Sequence, residues 1–444
     1  MNSVLLTAGA DFHALHKLDP ELYPFLLQST ASDTGLGSHD ILMLSTGETL
    51  QLDSPGDLHG ECAEGQSRFL DALDSWWRRE YYNEETKWPF NGGWFLFLGY
   101  ELAGEIEPGL KLQPDPVLPV AFAVRCDAAL ISDHQTGQCH FVAEDGSAHD
   151  VRTIQDDLLR AADLPADAPD NAGPSIFEEP AAAFLDAVEA AKSYIAAGDI
   201  YQANLSRGWS ARCERNSPLK IYKSLSTANP GPFAGLAYWQ GTTVVSSSPE
   251  RLLRVQKGIA ATRPIAGTRP RSDNEERDKQ LLMELISDPK ERAEHVMLID
   301  LERNDLGRVC EPGSVEVDEM MIIESYAHVH HIVSNVRGKL RKETTPGEAI
   351  AAVFPGGTIT GCPKVRCMEI ISELETGPRG AYTGSFGYLN RDGSMDLNIL
   401  IRTMVVNNDT ITFRAGSGIV ADSQPEAELN ETRAKAKGLI RALS

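Results

Sequence analysis

The chain has 444 residues, 42% of them hydrophobic, with 41 Lys plus Arg against 64 Asp plus Glu and a formal charge of −23. That length buries one large core or two, and that charge opposes nonspecific binding to nucleic acid or to anionic membranes. Seven scattered cysteines without CxxC pairs exclude a disulfide scaffold and a zinc ribbon, and the absence of a long apolar run reads as a soluble, cytoplasmic protein with no membrane span.

In chain order, residues 69–82 have helical periodicity, and residues 94–100 and 117–124 are apolar runs of buried strands. Residues 162–175, ADLPADAPDNAGPS, have no periodic apolar pattern and read as a linker. The chain divides there into an N-terminal region at 1–161, a linker at 162–178 and a C-terminal region at 179–444. A helix at 181–198 stops at Gly198. Strands are expected at 233–239, 242–247, 252–256, 322–325, 384–389, 398–406 and 410–415, with helices at 277–286, 289–301, 346–353, 364–375 and 425–443. Many strands with few regular crossovers predict an α+β fold, in which large, mostly antiparallel sheets pack as a sandwich with helices on the outer faces.

Two acidic pairs share one spacing. Glu291 and Glu294 stand three apart after Ser287-Asp288-Pro289, and Glu428 and Glu431 stand three apart after Pro425, with Lys435 one turn further on. Residues three apart share a helix face, so each helix presents two carboxylates side by side. Brought together, four carboxylates suit a hard divalent cation such as Mg²⁺; kept apart, they are acidic first turns that favour the helix dipole.

Other segments offer binding chemistry. Gly416-Ser417-Gly418 lets the backbone approach a ligand closely, or else forms a tight strand exit. The loop at 354–364 opens a helix with amide and hydroxyl donors, Thr358 among them, in a manner suited to an anion. Arg402 lies between apolar residues and needs a carboxylate, internal or a substrate's, and Tyr382 reaches it if the two sit on neighbouring strands. Glu250 follows Ser248-Pro249 at a strand entrance and serves as a general acid if burial raises its pKa.

Taken together, Ser248-Pro249-Glu250, the RPIAGT run over 263–268, DPKERAEHVMLIDLERNDLGRV over 288–309, HHIVS over 330–334, GGTITGCPK over 356–364, Ile401-Arg402-Thr403 and GSGIVADSQPEAELNET over 416–432 resemble the chorismate-utilising enzymes. The resemblance covers nearly all of 181–443. It implies an anthranilate synthase component I-like fold and a Mg²⁺ held by Glu294 and Glu431, with Glu291 and Glu428 alongside, bridging to the ring carboxylate of chorismate. It further implies that Arg402 and Tyr382 hold the enolpyruvyl carboxylate with the Gly416 and Gly418 backbone. Thr358, His331 and Lys435 would line the same pocket, and Glu250 would protonate the departing C4 hydroxyl.

The nucleophile is decided elsewhere. Water-using members of the family carry a Lys general base where this chain resembles them with Gln202, so the resemblance implies ammonia as nucleophile. The chain has no GxCxG nucleophile elbow, which implies a separate glutamine amidotransferase subunit as partner. Residues 201–205, Pro232-Phe233 and 356–361 resemble aminodeoxychorismate synthase component I, an enzyme of p-aminobenzoate and folate synthesis. Ala266 is the anthranilate synthase form of its motif and cannot attack as a nucleophile. The reading is an aminodeoxychorismate synthase component I; anthranilate synthase component I is the alternative, and a catalytically silent subunit binding an aromatic amino acid is the second. Leu26-Leu27-Gln28-Ser29 resembles the LLES element of the anthranilate synthase tryptophan site, with Gln in place of Glu.

Overall fold

The computed structural model describes residues 2–6, 9–30, 37–83, 86–165, 174–212, 217–326 and 329–443. Within them 21 strands are joined by hydrogen bonding and 11 α-helices pack around them, and the pairings are antiparallel throughout. This is the expected α+β architecture.

The pairing order decides where a site can form. In the C-terminal region Gln202–Arg212 pairs with Thr410–Ile419, and pairing continues through Thr403–Asn407, Thr242–Ser248 and Phe233–Trp239. There the sheet passes to the N-terminal region: Phe233–Trp239 pairs with Phe25–Gln28, followed by His39–Ser54, Ala121–Asp133 and Gly93–Leu98. Gly93–Leu98 then pairs with Ser385–Asn390, and the ladder returns through Met395–Asn398, Arg251–Gln256, Ile259–Arg263 and Val329–Lys339. The N-terminal strands therefore bridge two halves of the C-terminal sheet. Of the expected linker, 166–173 lie outside the described residues, while Ser175–Glu178 form a strand against Gln202–Arg212.

Alternating apolar residues fill the space between the facing strands. Phe25 stacks on Phe95 with ring centroids 3.8 Å apart, and Phe122 stacks on Trp239 at 4.1 Å. Each such fully buried aromatic contributes roughly 1.5–3 kcal/mol of transfer free energy. A second core lies under the helices Phe69–Glu80 and Pro346–Val353, and a third under Pro218–Ala228 and Pro425–Ala442. The helix Pro346–Val353 starts with a reciprocal Thr345/Glu348 capping box, and Asp74 of the N-terminal region accepts the Gly347 amide at 2.7 Å.

Three expectations are corrected. The strand expected at 117–124 begins only at Ala121, because Pro116 and Pro119 supply no amide to a ladder. The strand expected at 398–406 is two, Met395–Asn398 and Thr403–Asn407, broken at Arg402, whose φ of 53° is left-handed. The strand expected at 322–325 runs from Glu316 to Ser325. The long strands Gln202–Arg212 and Val329–Lys339 were not expected: buried Ser206, Arg207, His330 and His331 interrupt the apolar alternation that reveals a strand. No helix among the described residues is long and apolar enough to cross a membrane.

Candidate active site

Glu250 precedes the strand Arg251–Gln256 and is buried, 4% exposed. The turn that carries it is fixed by its own backbone: its amide donates to the Ser248 hydroxyl at 3.2 Å, and its carbonyl accepts the Ile399 amide at 3.0 Å. The Ile265 amide donates to the Glu250 carboxyl at 3.3 Å. Burial pushes the Glu250 pKa up to about 8, against the pull of Thr358 and the Ile265 amide. A carboxyl in that range holds its proton at neutral pH and gives it up to a leaving group, which is the character of a general acid. Thr358 sits in the short 3-10 turn Gly357–Ile359 near this acid, and its buried hydroxyl has no hydrogen-bond partner among the described residues.

Two further candidate groups are buried. His331 accepts or shares a proton with the Thr268 hydroxyl at 2.9 Å, and its buried Nε2 has no partner among the described residues. Burial, reinforced by the Arg402 charge, lowers its pKa to about 3, so the ring is neutral. Glu302, absent from the sequence reading, accepts the Gly357 amide at 3.3 Å, and burial raises its pKa too.

Arg402 and Tyr382 lie at breaks rather than on neighbouring strands. The Thr383 amide donates to the Leu400 carbonyl at 2.8 Å, drawing the two loops together, and both Thr383 and Arg402 adopt left-handed φ, at 64° and 53°. Such residues cost about 1–3 kcal/mol each and persist where the surroundings over-determine them. The Arg402 guanidinium donates to Asn229 Oδ1 at 3.2 Å, and no ion pair joins it to a carboxylate among the described residues, although Tyr326 and Glu250 lie near enough to favour its charge. Burial holds its pKa below the usual arginine value. Gly416 and Gly418 lie in the last four residues of the strand Thr410–Ile419, near its exit. A Cβ on Gly416 would stand 2.6 Å from the Tyr382 hydroxyl and 2.6 Å from Asn204 Oδ1, and one on Gly418 would stand 2.5 Å from Gln202 Nε2. A side chain at either position would press on these neighbours, so glycine lets the strand and those side chains approach closely.

The acidic helices flank that same strand. Asp288 caps Pro289–Gly307 by accepting the Lys290 amide at 2.9 Å, with Pro289 in the first turn. Glu291 pairs with Arg269 at 2.9 Å, and Glu294 accepts from Gln202 Nε2 at 2.8 Å. On Pro425–Ala442, Glu428 accepts from the Ser417 hydroxyl, while Glu431 pairs with Lys435 at 2.8 Å and Lys435 donates to the Gly416 carbonyl at 3.0 Å. Both helices thus address residues 416–418, one through Gln202 and the other through Ser417 and Lys435. Among the described residues, no three of the four glutamates bring ligand atoms within 4.8 Å of one another; the group that does is Asp53, Asp57 and His59, far along the chain and largely exposed. The donor set nonetheless fits a hard cation: burial and then the Glu291 charge raise the Glu294 pKa, and the buried Gln202 Oε1 beside it has no partner.

The LLQS element faces other partners. Gln28 donates to Asp40 at 2.9 Å and accepts from the Tyr222 hydroxyl at 3.0 Å, so its amide is taken up internally.

The candidate residues thus comprise a buried proton donor, a neutral imidazole, a guanidinium without a carboxylate partner among the described residues, a glycine-bearing strand and two pairs of carboxylates. A small, multiply charged anion is the kind of ligand that such chemistry suits. The profile of the chorismate binding enzymes matches residues 29–441, and the chain belongs to that family. It is 46% identical over 361 residues to an anthranilate synthase component I-like protein of Synechocystis sp., covering 80% of this chain and 73% of the relative. It is 41% identical over 385 residues to aminodeoxychorismate synthase component 1 of Bacillus subtilis, covering 84% and 82%. The crystal structure of anthranilate synthase component I from Streptococcus pneumoniae TIGR4 superposes with a TM-score of 0.80 at 33% identity, covering 91% of this chain and 92% of that one.

Proposed function

We propose that the chain is an aminodeoxychorismate synthase component I, combining chorismate with ammonia to give 4-amino-4-deoxychorismate and water. The carrying observation is Gln202: its amide, hydrogen-bonded to Glu294 at 2.8 Å, offers no basic nitrogen to deprotonate water. Ammonia needs no such base. It would come from glutamine through a separate amidotransferase subunit.

The residues divide the work. Glu250, protonated below its raised pKa, donates to the C4 hydroxyl as that group leaves. Arg402 and Tyr382, with the Gly416 and Gly418 backbone, receive the enolpyruvyl carboxylate, and the missing internal partner of Arg402 is supplied by the substrate. Neutral His331, Thr358 and Lys435 line the remaining wall. Glu294 and Glu431, with Glu291 and Glu428 alongside, would hold a Mg²⁺, which neutralises the ring carboxylate when bound.

Support for this product comes from two runs that resemble aminodeoxychorismate synthase. Residues 201–205 and 356–361 are far apart in sequence yet form one wall: Gly361 pairs with Ala203, and the Asn204 amide donates to the Thr360 carbonyl at 2.9 Å. A second reading, anthranilate synthase component I, giving anthranilate, pyruvate and water, is favoured by Ala266: a buried methyl stands where a lysine would attack covalently. Chorismate, Mg²⁺ and an ammonium salt, followed by the separate lyase, decide between them. p-Aminobenzoate supports the first reading; fluorescent anthranilate with stoichiometric pyruvate replaces it with the second.

A further inference from the structure

Arg379 lies in the turn after the helix Lys364–Leu374, and its side chain is 1% exposed. A buried guanidinium is tolerated only when its five N–H donors find acceptors. Here each contact ties down a different wall of the pocket. Nε and Nη2 donate to Glu375 at 3.1 and 2.6 Å, a bidentate pair. Nη2 also donates to the Asn204 carbonyl at 2.6 Å, two residues beyond Gln202. Nη1 donates to the Ile359 carbonyl at 3.1 Å, next to Thr358, and to the Thr383 hydroxyl at 3.3 Å, next to Tyr382. The guanidinium lies 5.6 Å from the centre of the Tyr382 ring.

The pair is itself fixed from two sides. Glu375 accepts the Ser206 amide at 2.7 Å and Arg414 at 3.2 Å, locking it to the strand that carries Gln202. The backbone amide of Arg379 donates to Glu101 at 2.8 Å, and that of Gly380 donates to the same carboxyl at 3.1 Å. Glu101 belongs to the N-terminal region and is 7% exposed. It takes no part in the chemistry above, yet it holds the turn from which Arg379 reaches in.

We infer that Arg379, clamped by Glu375 and by Glu101 of the N-terminal region, is a positioning residue that sets the Gln202, Thr358 and Tyr382 walls in register for chorismate. It touches no substrate. The inference rests on the proposed function only in taking chorismate as the ligand of this pocket. Its consequence is a split in kinetics: Arg379→Lys keeps a charge opposite Glu375 but cannot reach the Asn204 and Ile359 carbonyls together, so the carboxylate cradle loosens while Glu250 and its proton stay in place.

The experiment measures KM and kcat with chorismate, Mg²⁺ and ammonium, together with the chorismate Kd by equilibrium dialysis, on the full chain with an unchanged circular dichroism spectrum. Arg379→Lys is expected to raise KM and Kd about tenfold or more and to leave kcat within about threefold of wild type. Unchanged KM and Kd, or a kcat loss at unchanged KM, overturns the inference. Should that variant fail to fold, Glu101→Leu is the second: it removes the acceptor of both turn amides, and the same split is expected at about threefold in KM, with a wild-type KM overturning it. A wild-type chain that binds chorismate without turning it over would remove the proposed function alone, and the Kd comparison would still test Arg379.

Discussion

Arg379 is a buried guanidinium and Arg402 a part-buried one, and their surroundings are opposite. Arg379 has a bidentate carboxylate and two backbone carbonyls; Arg402 has one side-chain amide oxygen at 3.2 Å. Burying a charge carries a penalty of several kcal/mol unless a partner offsets it. At Arg379 the protein supplies that partner, which makes it part of the frame. At Arg402 no carboxylate is paired with it among the described residues, and in the proposed function the substrate anion takes that place.

The largest effect that sharpens this contrast is at Glu250. Glu250→Gln is expected to lower turnover by about 10²–10⁴-fold at wild-type chorismate affinity, measured by chorismate consumption. The pH profile follows from the same burial: the acid form is required, so turnover falls as pH rises through about 8. The sign for stability runs the same way. The folded state keeps a proton the unfolded chain releases near its ordinary value of 4.5, so this group's contribution is full below that value and lost as pH rises through about 8. The gain in Tm from Glu250→Gln should therefore be larger at pH 8.5 than at pH 5; an equal gain at both would break the link between burial and acid.

Next comes the acidic rim. Glu294→Ala is expected to reduce Mg²⁺-dependent chorismate turnover by more than about 100-fold, and near-normal activity at saturating Mg²⁺ would refute the metal assignment. Arg402→Ala is smaller and tests the contrast directly. Losing a charge-assisted carboxylate contact of about 2 kcal/mol raises the chorismate KM roughly thirtyfold, and an unchanged KM would show that Arg402 is as internal as Arg379. The smallest effect is at Gln202: Gln202→Lys should produce detectable isochorismate, and its complete absence by chromatography would remove the significance given to that amide.

These outcomes also track what the sequence could reveal. Glu250, Arg402 and the paired glutamates stood out because each is a charge in an odd local context: after Ser-Pro, between isoleucine and threonine, or three apart on a helix. Their partners did not. Glu101 reaches Arg379 across 278 residues and Arg379 reaches Asn204 across 175, separations at which no periodicity or spacing carries information. Glu302 was hidden inside a charged helical run that reads as solvent-facing, and it is 6% exposed because the Gly357 loop closes over it. The antiparallel architecture was legible from the number of strands and the scarcity of regular crossovers. The bridging of two C-terminal half-sheets by N-terminal strands was not, since it depends on pairings such as Phe25–Gln28 with Phe233–Trp239.

The most direct test of the central claim, that ammonia and not water is delivered to chorismate in this pocket, is mass spectrometry of the product formed from chorismate, Mg²⁺ and ¹⁵N-ammonium by the purified chain alone. The account predicts one ¹⁵N per product molecule in 4-amino-4-deoxychorismate. Unlabelled isochorismate as the product would contradict it.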